Sequence, residues 1–229
     1  MTPDLGPRWS LGDRWDPVPG KTLNTVIQEV LGEIITKHGA VTFDGNGYSA
    51  EWHAEAEKRG LPNFKTAVDT LPVLNQQDVI TLFDKYKVLS PRELHGRYET
   101  YLEQYSKAVN VESKLTTKLA KTAILPAAIH YQRKLAESAV AVKAAGLAPD
   151  TTALKQVTDL TAKLQTAISG LDAAAAHHGA DGALAEAKHF CNEVLPAMAK
   201  VREAADALEA IVEDELWPLP TFQEMLFIK

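Results

Sequence analysis

Apolar residues recur along this chain at spacings of three and four almost from end to end, the period of one face of an α-helix. Between residues 22 and 39, Leu23, Val26, Ile27, Val30, Leu31, Ile34 and Ile35 make a broad apolar stripe. Lys37 and His38 follow, where a helix's negative end favours cations, and Gly39 stops it. Two shorter helices are expected next. One spans about residues 63–70 and stops at Leu71-Pro72; the other spans about residues 75–86, with Val79, Ile80, Leu82, Phe83 and Tyr86 turned inward.

Ser90-Pro91-Arg92-Glu93 is a capping box with proline at the first helical position, and no strong stop follows until Gly146. The stripe behind it reads Leu94, Tyr98, Tyr101, Leu102, Tyr105 and Val109, continued by Leu115 and Leu119. A break is expected near Asn110 and a kink at Pro126, where proline removes a hydrogen bond and crowds the preceding turn. Residues 151–176 carry a coiled-coil seam of Leu154, Val157, Thr161, Leu164, Ile168 and Leu171. Residues 182–216 repeat it with Leu184, Ala187, Cys191, Val194, Met198, Val201, Ala205, Leu208 and Val212. Pro196 falls outside that seam, so a bend there leaves the apolar face intact.

Only Ala40-Val41-Thr42-Phe43 has the look of a strand. The expected class is therefore mainly α: short N-terminal helices, then long antiparallel helices forming a kinked helical bundle. Residues 1–20, rich in Pro and Gly and holding Trp9 and Trp15, read as an irregular tail or broken junction. Residues 21–88 read as a short-helix connecting segment, 89–216 as the long-helix bundle, and 217–229 as a C-terminal docking tail.

Composition narrows the function classes. The 229 residues, 45% hydrophobic and 24% charged, suit a folded soluble chain with a real core. A net charge of −6 and the lack of a basic run with interleaved aromatics speak against nucleic acid. No apolar run approaches a membrane span, and the N-terminus lacks the apolar centre of a signal peptide. A single cysteine, Cys191, fits a reducing cytoplasm.

Candidate chemistry is sparse. The stretch DGNGYSAEWHAEAEKRGLPN, from Asp44 to Asn63, invites a ligand-loop reading. As a calcium loop it fails, since Tyr48 and Ser49 stand where a ligand and the bending glycine belong. It lacks the third glycine of a dinucleotide fingerprint, at Ala50, and the Gly-Lys-Ser/Thr of a phosphate loop. His53 and Glu57 share a helix face, but zinc needs three or four ligands. The simpler reading is a turn at Asn46-Gly47, whose residues tolerate positive φ, then a helix capped by Ser49 and stopped at Arg59-Gly60. His177 and His178 are adjacent and read as loop, His95 and Glu99 as a surface pair, and His38 as a helix end. His130 with Arg133 and Lys134 offers an anion site or, more simply, a solvated helix face. Cys191, on the seam, reads as a small buried hydrophobe, with His189 at the wrong offset to act as its base. No catalytic, cofactor-binding or metal-ligating residue is assigned.

Several segments carry a resemblance. FDGNGYSAEWHAEAEKRGLPNFKTAVDTLPVL, ELHGRYETYLEQYSKAVNVESKL, TAILPAAIHYQ, VLPAMAKVREAADALE and LWPLPTFQEMLFIK resemble the C-terminal region of the type III glutamine synthetases, the large bacterial class. LNTVIQEVLGEIITKHG looks like the helix leading into it, so the resemblance runs from about residue 22 to 229. It implies a parent enzyme that joins glutamate and ammonium with ATP and divalent metal (Mg or Mn) in glutamine biosynthesis. It also implies that the motifs holding those cofactors lie in upstream catalytic domains, so no catalytic residue carries over to this chain. The implied partners are that catalytic domain and neighbouring subunits of a homo-oligomer, in the cytoplasm. The departure in the first twenty residues fits a cloned fragment, a truncated gene or a split gene. The competing reading is a free-standing helical adaptor. A di-iron bundle would need Glu-x-x-His on two facing helices, and the sequence holds no such pair.

Overall fold

The computed structural model describes residues 22–176, 182–220 and 222–226. The expectations for Trp9, Trp15, His177 and His178 lie outside the described residues, as do Phe227 and the side chain of Phe222, docking-tail aromatics expected to meet neighbours. Among those described, every regular element is helical and no strand forms. The chain divides into two compact units, Met1–Phe64 and Lys65–Lys229.

In the first unit, α1 spans Leu23–His38 and is opened by the Thr22 hydroxyl, which accepts from the Thr25 N–H. Its stripe forms as expected, yet no residue of α1 is buried. A 3₁₀ turn at Gly39–Val41 replaces the strand-like stretch. Helix α2, Ala50–Lys58, is capped by Ser49 Oγ, and Glu51 lies in its first turn. Its own backbone N–H, and then the Ser49 hydroxyl, hold the Glu51 carboxyl below its ordinary range. Gly60 ends α2 at φ 74°, with the Leu61 N–H reaching back to the Ala56 carbonyl in a Schellman cap. The turn before α2 differs from expectation. Neither Asn46 nor Gly47 has positive φ; instead the Asn46 side-chain oxygen accepts from the Tyr48 N–H at 3.0 Å. This is an Asx turn, which needs no left-handed backbone.

In the second unit, α3 is a single turn, Ala67–Thr70, capped by Thr66. It starts later than the pattern implies, and Leu71-Pro72 do not stop the helix but continue it as a 3₁₀ turn, Leu71–Asn75. Proline is tolerated there because the first residues of a helix donate no internal bond. Helix α4 spans Gln77–Lys85. Val79, Ile80 and Phe83 are half-buried, but Leu82 and Tyr86 face outward, 52% and 58% exposed. The helix ends with Lys87 at φ 54°, a left-handed cap made by a residue that bears a Cβ.

The predicted capping box opens α5, Pro91–Leu119, with Ser90 and Glu93 each satisfying the other's backbone N–H. The helix passes Asn110 without a break. Its buried face runs through Leu94, Tyr98, Leu102, Ser106, Val109 and Ser113, whereas Leu115 is 53% exposed and Leu119 37%. Two serines inside a core are affordable because each hydroxyl bonds the helix's own backbone: Ser106 to Leu102 O at 3.1 Å and Ser113 to Asn110 O at 2.8 Å. Their small size lets neighbouring helices approach closely.

Both Leu-Pro-Ala segments sit directly behind a π-turn. Residues Ala120–Ile124 and Phe190–Val194 make wide turns closed by the Leu125 N–H to Ala120 O and the Leu195 N–H to Phe190 O. Proline lacks an N–H and crowds the carbonyl four residues back, and the wider turn relieves that crowding. Helix α6, Leu125–Ala144, then runs to a Schellman cap at Gly146, φ 84°. Helix α7, Thr152–Ala176, buries Val157, Thr161, Leu164, Ile168 and Leu171, the predicted seam. Helix α8, Ala183–His189, leads through the second π-turn into α9, Leu195–Glu209. The last helix thus ends before residue 216, and Asp214–Leu216 form a separate 3₁₀ turn. The wide turn also shifts the seam: Phe190 is 1% exposed and carries the contact, while Cys191 is only half-buried.

The main core gathers Ile124, Ala128, Leu164, Leu171, Phe190, Val194, Val201 and Leu208 from α6, α7, α9 and both π-turns. A smaller cluster joins Val68, Tyr98, Leu102 and Ala187. Burying a leucine or phenylalanine so fully stabilises by roughly 1.5–3 kcal/mol each. The ion pairs crossing between helices, such as Lys121–Asp172 at 2.6 Å and Lys163–Glu203 at 3.1 Å, are exposed and contribute less than about 1 kcal/mol apiece.

Candidate functional site

The residues that could carry chemistry stay apart. Among the described residues no three His, Cys, Asp or Glu side chains gather as metal ligands. His53 and Glu57 are both exposed on α2. His95 lies beside Tyr98, ring centres 6.2 Å apart. His38 is the last residue of α1. Next to His130, Arg133 pairs with Glu137 at 3.2 Å and Lys134 with Glu213 at 2.6 Å, so both cations already face carboxylates. His189 approaches the Ala174 carbonyl through Nε2 at 2.9 Å, near the end of α7, and so is turned away from a base role for Cys191. Beside Cys191 lies Tyr105; burial first, and then the Cys191 side chain, push the Tyr105 hydroxyl up to about 12. A phenol held so firmly protonated is no general base near neutral pH.

What the second unit does form is an apolar groove of about 310 Å³. Its floor comes from Leu119, Ala120 and Ile124 at the first π-turn and from Val201 and Ala205 on α9. The far wall is Trp217, Leu219 and Met225, and the rim carries Arg202, Asp206 and Glu209. Arg202 Nε bonds Asp206 at 3.3 Å, leaving a rim of mixed charge. Trp217 Nε1 is buried and has no partner among the described residues. The groove can hold apolar side chains; Thr116, Arg202, Asp206 and Glu209 are the polar part of its lining. In the sequence Leu119, Val201 and Ala205 read as helix stripes and Trp217 to Met225 as part of a docking tail, but the lining spans residues 116 to 225 and meets only in the fold.

The first unit is built differently. Phe43 stacks on Trp52, ring centres 4.1 Å apart and 22° from parallel. Arg59 lies over the other element of that pair, 5.4 Å from the Trp52 ring, and donates to Thr42 O at 2.8 Å, Ala40 O at 3.4 Å and Glu55 Oε1 at 2.8 Å. The Glu55 carboxyl is held below its ordinary range chiefly by that Arg59 bond. This clasp ties the turn after α1 to α2. It leaves Leu23, Leu31 and Ile35 of α1 exposed by 54%, 51% and 69%.

By class, then, this is an all-helical domain whose ionisable side chains cap helices and pair with one another. Residues 26–143 match the family model of the glutamine synthetase C-terminal domain, and the chain belongs to that family. It is 32% identical over 213 residues to a glutamine synthetase of Butyrivibrio fibrisolvens, a match covering 91% of this chain and 30% of that enzyme. It is 29% identical over 216 residues to the type-3 glutamine synthetase of Dictyostelium discoideum, covering 90% of this chain and 29% of that protein. The chain thus spans less than a third of the curated relatives it matches. No described helix is long and apolar enough to cross a membrane.

Proposed function

We propose that this chain acts as the C-terminal helical region of a type III glutamine synthetase, serving packing and assembly rather than catalysis. In the parent reaction glutamate, ammonium and ATP give glutamine, with ATP and a divalent metal, Mg or Mn, held by the catalytic domain. This chain's partners are that domain and neighbouring subunits of a cytoplasmic homo-oligomer. One observation carries the reading: large aliphatic side chains lie uncovered on α1 in a region whose relatives are more than three times its length. Exposed stripes of that kind mark contact surfaces. The groove beside Trp217 supports it, being lined mostly by apolar side chains. The purified chain, supplied with glutamate, ATP, hydroxylamine and Mg or Mn, is expected to form no γ-glutamyl hydroxamate. Formation of that product at a rate typical of a synthetase overturns the proposal.

A further inference from the structure

The groove in the second unit is unevenly charged. Its apolar lining includes Leu119, Ile124, Val201, Leu219 and Met225, and the buried Trp217 N–H offers it no donor. At the rim Arg202 Nε bonds Asp206 at 3.3 Å, which leaves Glu209. That carboxylate is half-buried and pairs with no cation among the described residues. Its place in the chain compounds the imbalance. Glu209 is the last residue of α9, where carbonyls unused within the helix carry partial negative charge. Helices favour Lys, Arg or His at that end, as α1 has Lys37 and His38, but the last turn of α9 has no basic residue. A carboxylate partly removed from water, beside a helix's negative end and without a counter-charge, is held at a cost.

We infer that the groove between the first π-turn, α9 and Trp217 is a binding site for a small organic cation, an apolar body that carries an ammonium group. The ammonium pairs with Glu209 at the end of α9, and the body lies on Leu119, Ile124 and the Trp217 wall. The size agrees: about 310 Å³ is at the lower end of the range for small-molecule sites, which suits one short alkyl or aryl chain. An anion is disfavoured, because Glu209 and the helix end repel it and Arg202, the only cation in the lining, already has Asp206. A neutral apolar molecule fills the carbon part and leaves Glu209 unanswered. An ammonium supplies the missing counter-charge, and the same apolar surroundings that make the lone carboxylate costly strengthen its pairing. The site stands apart from the assembly role proposed above and requires no reaction.

The test follows the indole N–H resonance of Trp217 in the isotope-labelled full chain at neutral pH, identified by its loss in Trp217→Phe. The probes are hexylamine, hexanol and hexanoate, which share one body and differ in charge. We expect hexylamine to shift the Trp217 signal, to leave that of Trp52 unmoved, and to bind at least about fivefold more tightly than hexanol, with hexanoate weakest. Glu209→Gln should bring hexylamine down to the level of hexanol, whereas Glu209→Asp keeps a preference for the amine. Glu203→Gln, on the same helix but paired with Lys163 outside the groove, should change nothing. Absence of a Trp217 shift overturns the site. Equal binding of hexylamine and hexanol, or a preference that survives Glu209→Gln, overturns the cation assignment. Tighter binding of Nα-acetyl-lysine amide than of hexylamine overturns the small-molecule reading in favour of a partner's lysine side chain. The comparison of the three probes on the wild type needs no variant, so it decides even if Glu209→Gln fails to fold.

Discussion

The two units solve the same problem in opposite ways. Residues 65–226 spend their apolar residues inward: Leu94, Leu102, Leu164, Leu171, Phe190 and Leu208 are all 1% exposed or less. Residues 22–64 have a helix with as regular a stripe, of which Val26, Ile27, Val30 and Ile34 are half-buried, Leu23, Leu31 and Ile35 are exposed and none is fully buried. Amphipathic pattern alone therefore does not distinguish a helix whose stripe is buried from one whose stripe stays partly exposed. What distinguishes them is whether a second stripe of matching length is available. Helix α7 has α6 and α9 beside it, while the described residues of the unit holding α1 offer only the short, polar α2 as a further helix.

The sharpest way to break that comparison is to cut the same kind of residue in both places. Leu164→Ala, at 0% exposure, should cost about 2–5 kcal/mol in chemical denaturation, because it opens a cavity among α6, α7 and α9. Ile35→Ala, 69% exposed, should stay within about 0.5 kcal/mol in the isolated chain. A large loss at Ile35 would mean that α1 already has a partner.

Next in size is the Arg59 clasp, the main device holding residues 40–58 together. Arg59→Ala removes the bonds to Thr42 O and Ala40 O and the contact with Trp52. It should lower the local stability of residues 40–58 by about 1–2 kcal/mol, seen as faster amide exchange there. Protection of the α7 amides should not change.

In the bundle, local devices are additions to a core rather than substitutes for one. Ser90→Ala should cost about 1 kcal/mol through the lost capping box. The same box has a pH signature. The Ser90 hydroxyl, and then its backbone N–H, hold the Glu93 carboxyl below its ordinary value of 4.5. Because the folded value is the lower one, this contribution is fully present above pH 4.5 and is lost as the pH falls through the depressed value. Denaturation midpoints of wild type and Glu93→Gln should therefore converge on acidification below that point.

The smallest expected effect is a gain. Lys87 closes α4 in the left-handed region at φ 54°, where its Cβ costs about 1 kcal/mol. Lys87→Gly should return about half to all of that, read as a higher melting temperature.

How much of this was legible depends on how far each feature reaches along the chain. The α7 seam, the Ser90 box and the Gly146 stop are set by residues within one or two turns of one another, and the structure reproduces them. Errors begin where a second element decides. Leu115 and Leu119 continue a plausible stripe, yet the helices packed on α5 select Ser113 and Ala120 instead. The period turns Leu82 and Tyr86 inward, but both stay more than half exposed on α4. A period of 3.6 also cannot register a π-turn, which is why Cys191 was placed on the seam and Phe190 was not. The groove was invisible because its parts, from Thr116 to Met225, are joined only by the fold.

One measurement bears most directly on the contrast between residues 22–64, which lack a core of their own, and the second unit, which has one. Native-state hydrogen exchange on the purified chain, resolved by residue, compares α1 with α7. The α1 amides should open at no more than about 2 kcal/mol, while those of Val157, Leu164 and Ile168 should exchange only through global unfolding. Equal protection of α1 and α7 would contradict the account, since it would require a core beneath Leu23, Leu31 and Ile35.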